Sequence, residues 1–365
     1  MNTDIEQVWE HNELSTETPT ELLALPSIVC HQSQDPEVVR AQLLEGIRIK
    51  QVPPKFLYES MQQSQKYLEV QRQHSIFHTD SNVACMYDRA FEDVVRECRG
   101  PVSLVGLGCG GGPKEAKLLA QLKRASCTIT SYIPVDVSSA LLLAAREKAL
   151  EDVPTQRIHP LVCDLGHITD LPQVLRSMSP GSIRVPRIFT AFGLIPNFDQ
   201  GVFFSLISSV VQEETDTLMF SANLAPGHDF RAGMDAILPQ YDNEATREWL
   251  LSFILGLGIA ETDGQLAFSI VEGQWGLWRV EANFIFCERR QVSIDHELLD
   301  FHPADQLRVF HSYRHTPETV ARCLDEHGLE LMQQWVSEDQ EEGVFAVKRS
   351  KASKPDTSGQ CLRAI

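Results

Sequence analysis

The stretch Val105–Pro113, V-G-L-G-C-G-G-G-P, constrains the fold of this 365-residue chain more than any other. It closes a β-branched run, Pro101–Gly108, and opens a segment, Lys114–Ala125, whose apolar residues fall at 116, 118, 119 and 122. That spacing is helical. Cys127–Asp136 then returns to strand composition. Glycines at such a turn permit positive φ and let a ligand approach the backbone with no Cβ in the way.

The β-α-β unit repeats. Ser138–Leu150 reads as a helix opened by a serine cap, His159–Leu165 and Arg187–Gly193 as strands, Val202–Glu213 as a helix and Asp216–Asn223 as a fifth strand. Such alternation predicts a doubly wound, parallel α/β sheet. After a capped helix at Thr316–Gly328, the runs Leu329–Ser337 and Gly343–Arg349 are separated only by the acidic turn EDQEE. That gap is too short for a crossover helix, so they form a hairpin and the last strand runs antiparallel to its neighbour.

Two regions fall outside the alternation. Residues 1–85 are polar and mostly helical in pattern, with Pro53–Val70 the most ordered part. Residues 226–315 carry a helix around Glu244–Leu255 and an antiparallel pair within Trp278–Asp295. An insertion there sits above the carboxyl edge of the sheet, where open α/β folds bind ligands. The expected division is therefore 1–85 and 226–315 as two pieces of one substrate cap, and 86–225 with 316–350 as the cofactor-binding domain. Residues 351–365 form a polar, breaker-rich tail, expected to be disordered.

Composition removes whole classes of function. The formal charge is −18, unsuited to a nucleic-acid groove, which needs clustered cations. The longest strongly apolar run, Trp249–Ala260, is too short for a bilayer, so no membrane segment is expected. The first 25 residues are acidic and lack an apolar core, so no signal peptide is read and a cytoplasmic location is expected. The nine cysteines are odd in number and never spaced C-x-x-C, which suggests reduced, mostly buried thiols. Cys109 lies in the glycine loop with no His or Asp at a motif distance and reads as packing. His311 and His315 are four apart, but HSYRH lacks the Glu of a zinc-protease helix, so no metal is expected.

Gly106, Gly108 and Gly111 match G-x-G-x-x-G, which admits a dinucleotide such as NAD. Asp136 closes the second strand, where a carboxylate can accept both ribose hydroxyls, and Asp164 closes the third, where it can accept from an adenine amine. Either aspartate could equally serve a helix cap or turn. Three strand ends each carrying the expected group favour a nucleoside site. The third-strand aspartate and the reversed terminal hairpin favour S-adenosylmethionine over NAD. This is the strand order of a class I methyltransferase, a Rossmann-like seven-stranded sheet with an antiparallel terminal hairpin.

The chain resembles the histidine-specific methyltransferase family, which includes the enzyme that trimethylates histidine in ergothioneine synthesis and N-methyltransferases of indole alkaloid precursors. The stretches that carry the resemblance are Pro53–Ser60, Leu104–Lys114, Tyr132–Ser138, Ala191–Phe198 and Gln240–Ala245, with Arg308–Arg314 less exact. They occur in family order. The resemblance implies that Gly108, Lys114, Asp136 and Asp164 line an S-adenosylmethionine site, and Gly106, Gly110 and Leu165, which lie beside them in the loop and after the third strand, are expected to share it. It further implies that Asn197 and Tyr241 hold an amino-acid carboxylate and that Tyr58 lies near the reacting amine, with Tyr58 and Asn197 the residues expected to orient it.

The departures bear on the substrate. Where the histidine enzyme grips imidazole with a glutamate, this chain has Phe310, two before Ser312; the tyrosine-rich segment after the first helix is replaced by Ser75–Ser81, with Ile76 and Phe77. Loss of that carboxylate leaves a buried donor unpaired, about 1 to 3 kcal/mol against histidine. An apolar or aromatic amino acid, or a derivative in secondary metabolism, suits Phe77 and Phe310 better. The usual acidic residue two before the loop glycine is Gly106 here. The expectation is an S-adenosylmethionine-dependent N-methyltransferase of a small-molecule amine or amino acid, a monomer or homodimer without nucleic-acid or membrane partners. The alternatives are a non-catalytic cofactor-binding homologue and an NAD-dependent oxidoreductase.

Overall fold

The computed structural model describes residues 27–178, 185–294 and 296–351. Residues 1–26 of the first cap segment, and the tail after Lys351, lie outside the described residues. The chain begins with β1 (Val29–Cys30), α1 (Pro36–Arg48), a 3-10 turn at Pro54–Leu57, α2 (Met61–His74), α3 (Ile76–Thr79) and α4 (Ser81–Glu97). Next come β2 (Val102–Leu107), α5 (Pro113–Arg124), β3 (Ile129–Asp136), α6 (Ser139–Ala149), β4 (Leu161–Val162), α7 (Leu171–Met178), β5 (Arg187–Ala191), α8 (Gln200–Val210) and β6 (Thr217–Asn223). Then follow α9 (Phe230–Tyr241), α10 (Glu244–Gly256), β7 (Gly264–Glu272), β8 (Trp278–Phe286), β9 (Arg290–Ile294), β10 (Glu297–Phe301) and β11 (Gln306–Arg314). The chain closes with α11 (Pro317–Glu326), β12 (Leu329–Val336) and β13 (Glu342–Arg349).

The main sheet runs in the order β1-β4-β3-β2-β5-β6-β13-β12. All its pairs are parallel except β13, which is antiparallel to both β6 and β12, as the short acidic turn requires. β2 is buried along its whole length, the signature of a strand covered on both faces. One face packs Leu107, Val135 and Phe220 against α7, α8 and α11; the other packs Leu104 and Tyr132 against α4 and α5. Seven strands follow the expected order, and an eighth, β1, is added at the edge. Its two residues dock through Val29 N to Pro160 O and His31 N to Val162 O, a backbone match no side-chain pattern announces.

The remaining elements form a second lobe around one core. Ile47, Val52, Phe56 and Leu57 from the N-terminal stretch pack with Trp249, Phe253, Phe284 and Phe286 from residues 244–309. Trp249 Nε1 donates to Leu57 O at 2.9 Å, and Val52 N donates to Arg308 O at 2.8 Å. The antiparallel pair expected within Trp278–Asp295 is absent. β8 pairs instead with β7 and β11, while β9 pairs with β10, because each strand finds its apolar face against a partner outside that window. Helix α4 also runs across the boundary expected at residue 85. The apolar run from Trp249 is part of α10, and among the described residues no helix is long and apolar enough to cross a membrane.

The cysteines are free in the described residues, but fewer are buried than expected. Cys109, Cys163 and Cys323 are buried, whereas Cys30 on the edge strand β1, Cys85 on α4 and Cys287 in the turn after β8 are exposed.

Candidate active site

A cavity of about 560 Å³ opens at the carboxyl ends of β2, β3, β4 and β5 and is roofed by the second lobe. Its floor is the turn between β2 and α5. Gly108 has φ +60°, and a Cβ there would stand 2.6 Å from Leu194 Cδ1. Gly112 has φ +70°, and its Cβ would meet Ala145 Cβ at 2.8 Å. Only glycine permits this backbone and this packing.

Asp136 ends β3 beside that turn. Its Oδ2 accepts from Gly110 N at 2.9 Å and its Oδ1 from Ser138 N at 3.0 Å. Burial pushes its carboxyl up, while the backbone donors of Ser138, Gly110 and Val137 oppose the shift. No cation among the described residues pairs with it, so the carboxylate keeps lone pairs for a ligand at the cavity wall. Asp136 thus both orders the loop and faces the cavity.

Asp164 follows β4 and is more heavily engaged. Its Oδ1 accepts from Gly166 N at 2.9 Å, and its Oδ2 lies 2.9 Å from His167 Nδ1 and 3.2 Å from Lys55 Nζ. Lys55 comes from the Pro54–Leu57 turn, so the second lobe is tied to the strand end by a buried ion pair. Burial works against the charged form of Asp164, yet His167 and Lys55 hold its carboxyl below the usual range. The Asp164 hydrogen bond in turn raises His167. A lowered Asp contributes stability above its unfolded pKa of about 4, and a raised His contributes below its unfolded pKa of about 6.5. The pair is therefore strongest between those values. The urea-midpoint difference between the native protein and His167→Ala is expected to be largest near pH 5 to 6 and to shrink as pH rises through the imidazole's raised pKa; a pH-independent difference would refute the pairing.

On the opposite wall Asn197 Nδ2 donates to Tyr58 Oη at 3.3 Å. Tyr58 packs edge-on to Tyr67 at 4.7 Å and lies 5.5 Å from Trp249. Burial raises Tyr58 well above an ordinary phenol, so it stays protonated and able to donate. Phe310 continues the wall, 5.8 Å from Trp249 and 6.1 Å from Tyr241. Tyr241 Oη shares a hydrogen bond with Ser312 Oγ at 2.9 Å and accepts from Arg314 Nε at 3.1 Å. Arg314 is 5% exposed and donates also to the carbonyls of Leu224 and Glu341. Among the described residues no carboxylate pairs with it.

Lys114 stands over the rings of Phe77, Tyr87 and Phe192, at 5.2, 4.6 and 5.8 Å. It donates to Tyr87 Oη at 2.9 Å and lies 3.7 Å from Glu342, which accepts from the same Tyr87 hydroxyl. Phe77 therefore belongs to this cage, edge-on to Tyr87 at 5.0 Å, rather than to the wall of Phe310. His311 also lines the cavity; burial, with Arg308 and Arg279 nearby, pushes it down to about 3. Among the described residues no group of three or more His, Cys, Asp or Glu could hold a metal ion. Burial raises the Cys109 thiol well above its usual range, which leaves it a packing residue.

Residues 39–253 match the model of the histidine-specific, S-adenosylmethionine-dependent methyltransferase family. The chain belongs to this family. Among solved structures it is similar to the magnesium protoporphyrin IX methyltransferase of Synechocystis PCC 6803 with bound S-adenosylhomocysteine, at 12% identity over 81% of this chain and 97% of that one, TM-score 0.41. It is also similar to the CcbJ methyltransferase of Streptomyces caelestis, at 12% identity over 73% of this chain and 89% of that one, TM-score 0.36. Among curated proteins none matches.

The methyltransferase takes S-adenosylmethionine as its methyl donor, which removes the nicotinamide alternative. The unpaired Asp136 carboxylate beside a glycine turn that admits no Cβ fits such a nucleoside. Of the residues singled out from sequence, Tyr58, Phe77, Gly108, Gly110, Lys114, Asp136, Asp164, Leu165, Asn197, Tyr241, Phe310 and Ser312 all line the one cavity. Gly106 does not. It lies inside β2 between Pro134 and Thr190 of the flanking strands, one pleat short of the turn. Sequence reading missed Tyr67, Trp249, Lys55 and Arg314. Arg314 ends the quoted stretch Arg308–Arg314, but nothing in the letters says that its charge is buried.

Proposed function

We propose that the enzyme N-methylates the amine of an apolar or aromatic amino acid, or of a small molecule derived from one, and that histidine is not its acceptor. The observation that carries this reading is the buried, carboxylate-free Arg314 behind Tyr241 and Ser312, facing the cavity next to an aromatic wall of Phe310, Trp249 and Tyr67. A cation-backed phenol and hydroxyl suit an acceptor carboxylate. The neutral wall suits an apolar side chain and offers an imidazole no carboxylate partner. The resemblance implies Asn197 and Tyr241, both neutral donors, for that carboxylate, and the Arg314 guanidinium behind Tyr241 adds a positive charge to the same place.

When bound, the donor supplies a methyl already activated by a sulfonium charge. The protein's work is then orientation and exclusion of water. Tyr58, kept as a phenol, and Asn197 orient the amine so that its lone pair faces the methyl. His311, lowered to about 3, is a neutral imidazole in the physiological range; its unprotonated nitrogen can accept a hydrogen bond from the amine but does not keep the proton. The proton lost on methylation leaves through water.

Incubation with S-adenosylmethionine and a panel of L-amino acids alongside their decarboxylated amines, read by mass spectrometry, tests the reading. Aromatic or aliphatic amino acids are expected to gain methyl groups on nitrogen, histidine not. Tyr58→Phe is expected to lower kcat/KM roughly tenfold, one lost hydrogen bond, without changing S-adenosylhomocysteine affinity. Decarboxylated amines turned over as well as the acids would overturn the role of Arg314.

A further inference from the structure

The cofactor loop lacks the acidic residue that usually stands two before its glycine, and β2 carries Gly106 there. The structure puts a different carboxylate into that space. Glu115, on the first turn of α5, is 2% exposed, and its Cγ and Oε1 lie 3.3 and 3.5 Å from where a Cβ on Gly106 would be. Thr190, the residue paired with Gly106 across β2 and β5, donates to Glu115 Oε1 at 2.9 Å. Glu115 lines the cavity, whereas Gly106 does not. Among the described residues no Lys, Arg or His forms an ion pair with it. Lys114 acts on it only from beyond contact distance, and a buried carboxylate with no cation in contact is costly.

The donor is a linear molecule, and the strand ends order it. With adenine at Asp164 after β4 and ribose at Asp136 on β3, the amino-acid end lies over β2 and β5, where Glu115 stands. We infer that Glu115 has taken over the place of the missing strand carboxylate and binds the α-ammonium of S-adenosylmethionine. The side chain reaches back from the helix over a glycine that must stay small to admit it. Burial pushes Glu115 up to about 7, so it is poised to ionise when a cation arrives. The inference rests on Asp136 holding the ribose, and that reading fails separately: losing Asp136 weakens every adenosine ligand, while losing Glu115 weakens only ligands that carry the amine.

Calorimetry on the full chain with two ligands decides it: S-adenosylhomocysteine, and the same molecule with its α-amino group replaced by hydrogen. Glu115→Gln is expected to weaken the first roughly 10- to 100-fold, the worth of a charge-assisted hydrogen bond, and to change the second less than about twofold, within the scatter of such comparisons. The exchange variant Gly106→Glu with Glu115→Thr returns the carboxylate to the strand and is expected to restore the preference for the amine, which keeps the test decisive should Glu115→Gln fold poorly. Equal loss for both ligands, no loss for either, or an exchange variant that binds both alike would assign Glu115 to packing and overturn the inference.

Discussion

Asp136→Ala is expected to weaken S-adenosylmethionine and S-adenosylhomocysteine by at least roughly 100-fold. Two effects combine. The substitution removes the carboxylate at the end of β3, the acceptor we propose for the donor's vicinal hydroxyls, and hydrogen bonds to a charged group are worth about 1.5 to 3 kcal/mol each. It also strips acceptors from Gly110 N and Ser138 N, so the loop and the first turn of α6 lose their shared anchor. Two such bonds amount to a factor of about 100 or more. Asp136→Asn retains an oxygen for one of the backbone donors and is expected to fall between the two. Calorimetry with both ligands and with NAD as a control reads the result; unchanged affinity in Asp136→Ala would remove this residue from the donor site.

Glu342→Ala carries the second large effect, on stability. Glu342 is 5% exposed and completes the cluster in which Tyr87 and Lys114 meet. Removing one partner of a buried pair leaves the other charge uncompensated, about 3 to 5 kcal/mol. Burial already lowers Lys114, with Glu342 and Glu115 opposing. Without Glu342 it falls further, and the sign of the pH dependence follows. Between the depressed folded value and the unfolded value of about 10.4 the unfolded chain binds more protons, so stability rises with pH across that window. Urea unfolding of Glu342→Ala at pH 7 and pH 9 is therefore expected to show the larger deficit at pH 7. Lys114→Met in the same background should recover most of it, since an apolar chain of similar length leaves no charge behind. An equal deficit at both pH values would mean that Lys114 is not the charge left exposed.

Asp136 and Lys114 are residues that the sequence itself marks, because a strand-end aspartate and a glycine turn have local signatures, whereas Glu342 reads there only as the end of the acidic turn EDQEE. The alternation of period-2 and helical runs from Pro101 onward was legible for the same reason: each β-α unit buries its strand on both faces and its helix on one. The second lobe was not. β7 and β11 carry mixed burial patterns, α9 holds Pro239 within it, and β8 and β9 are adjacent in sequence yet pair elsewhere. Their partners are set by which apolar faces meet in three dimensions. The same holds for Glu115 and Arg314. An acidic residue on the first turn of a helix and an arginine at the end of a strand are ordinary in a sequence; burial with no opposite charge in contact is what sets them apart.

The core that joins Leu57 to Trp249 has a consequence for how this enzyme could be re-specified. Those residues lie 192 positions apart, and the whole run of strands that carries the donor site is threaded between them. A chimera that imports residues 226–315 from a relative would bring a new acceptor wall while leaving its packing partners, Val52, Phe56 and Leu57, native. The graft would meet a mismatched seam beneath Tyr58, the residue we propose orients the acceptor amine. Exchange of acceptor pockets within such a family therefore requires two coordinated crossovers, and variation at single wall positions such as Phe310 is the shorter path to a new substrate.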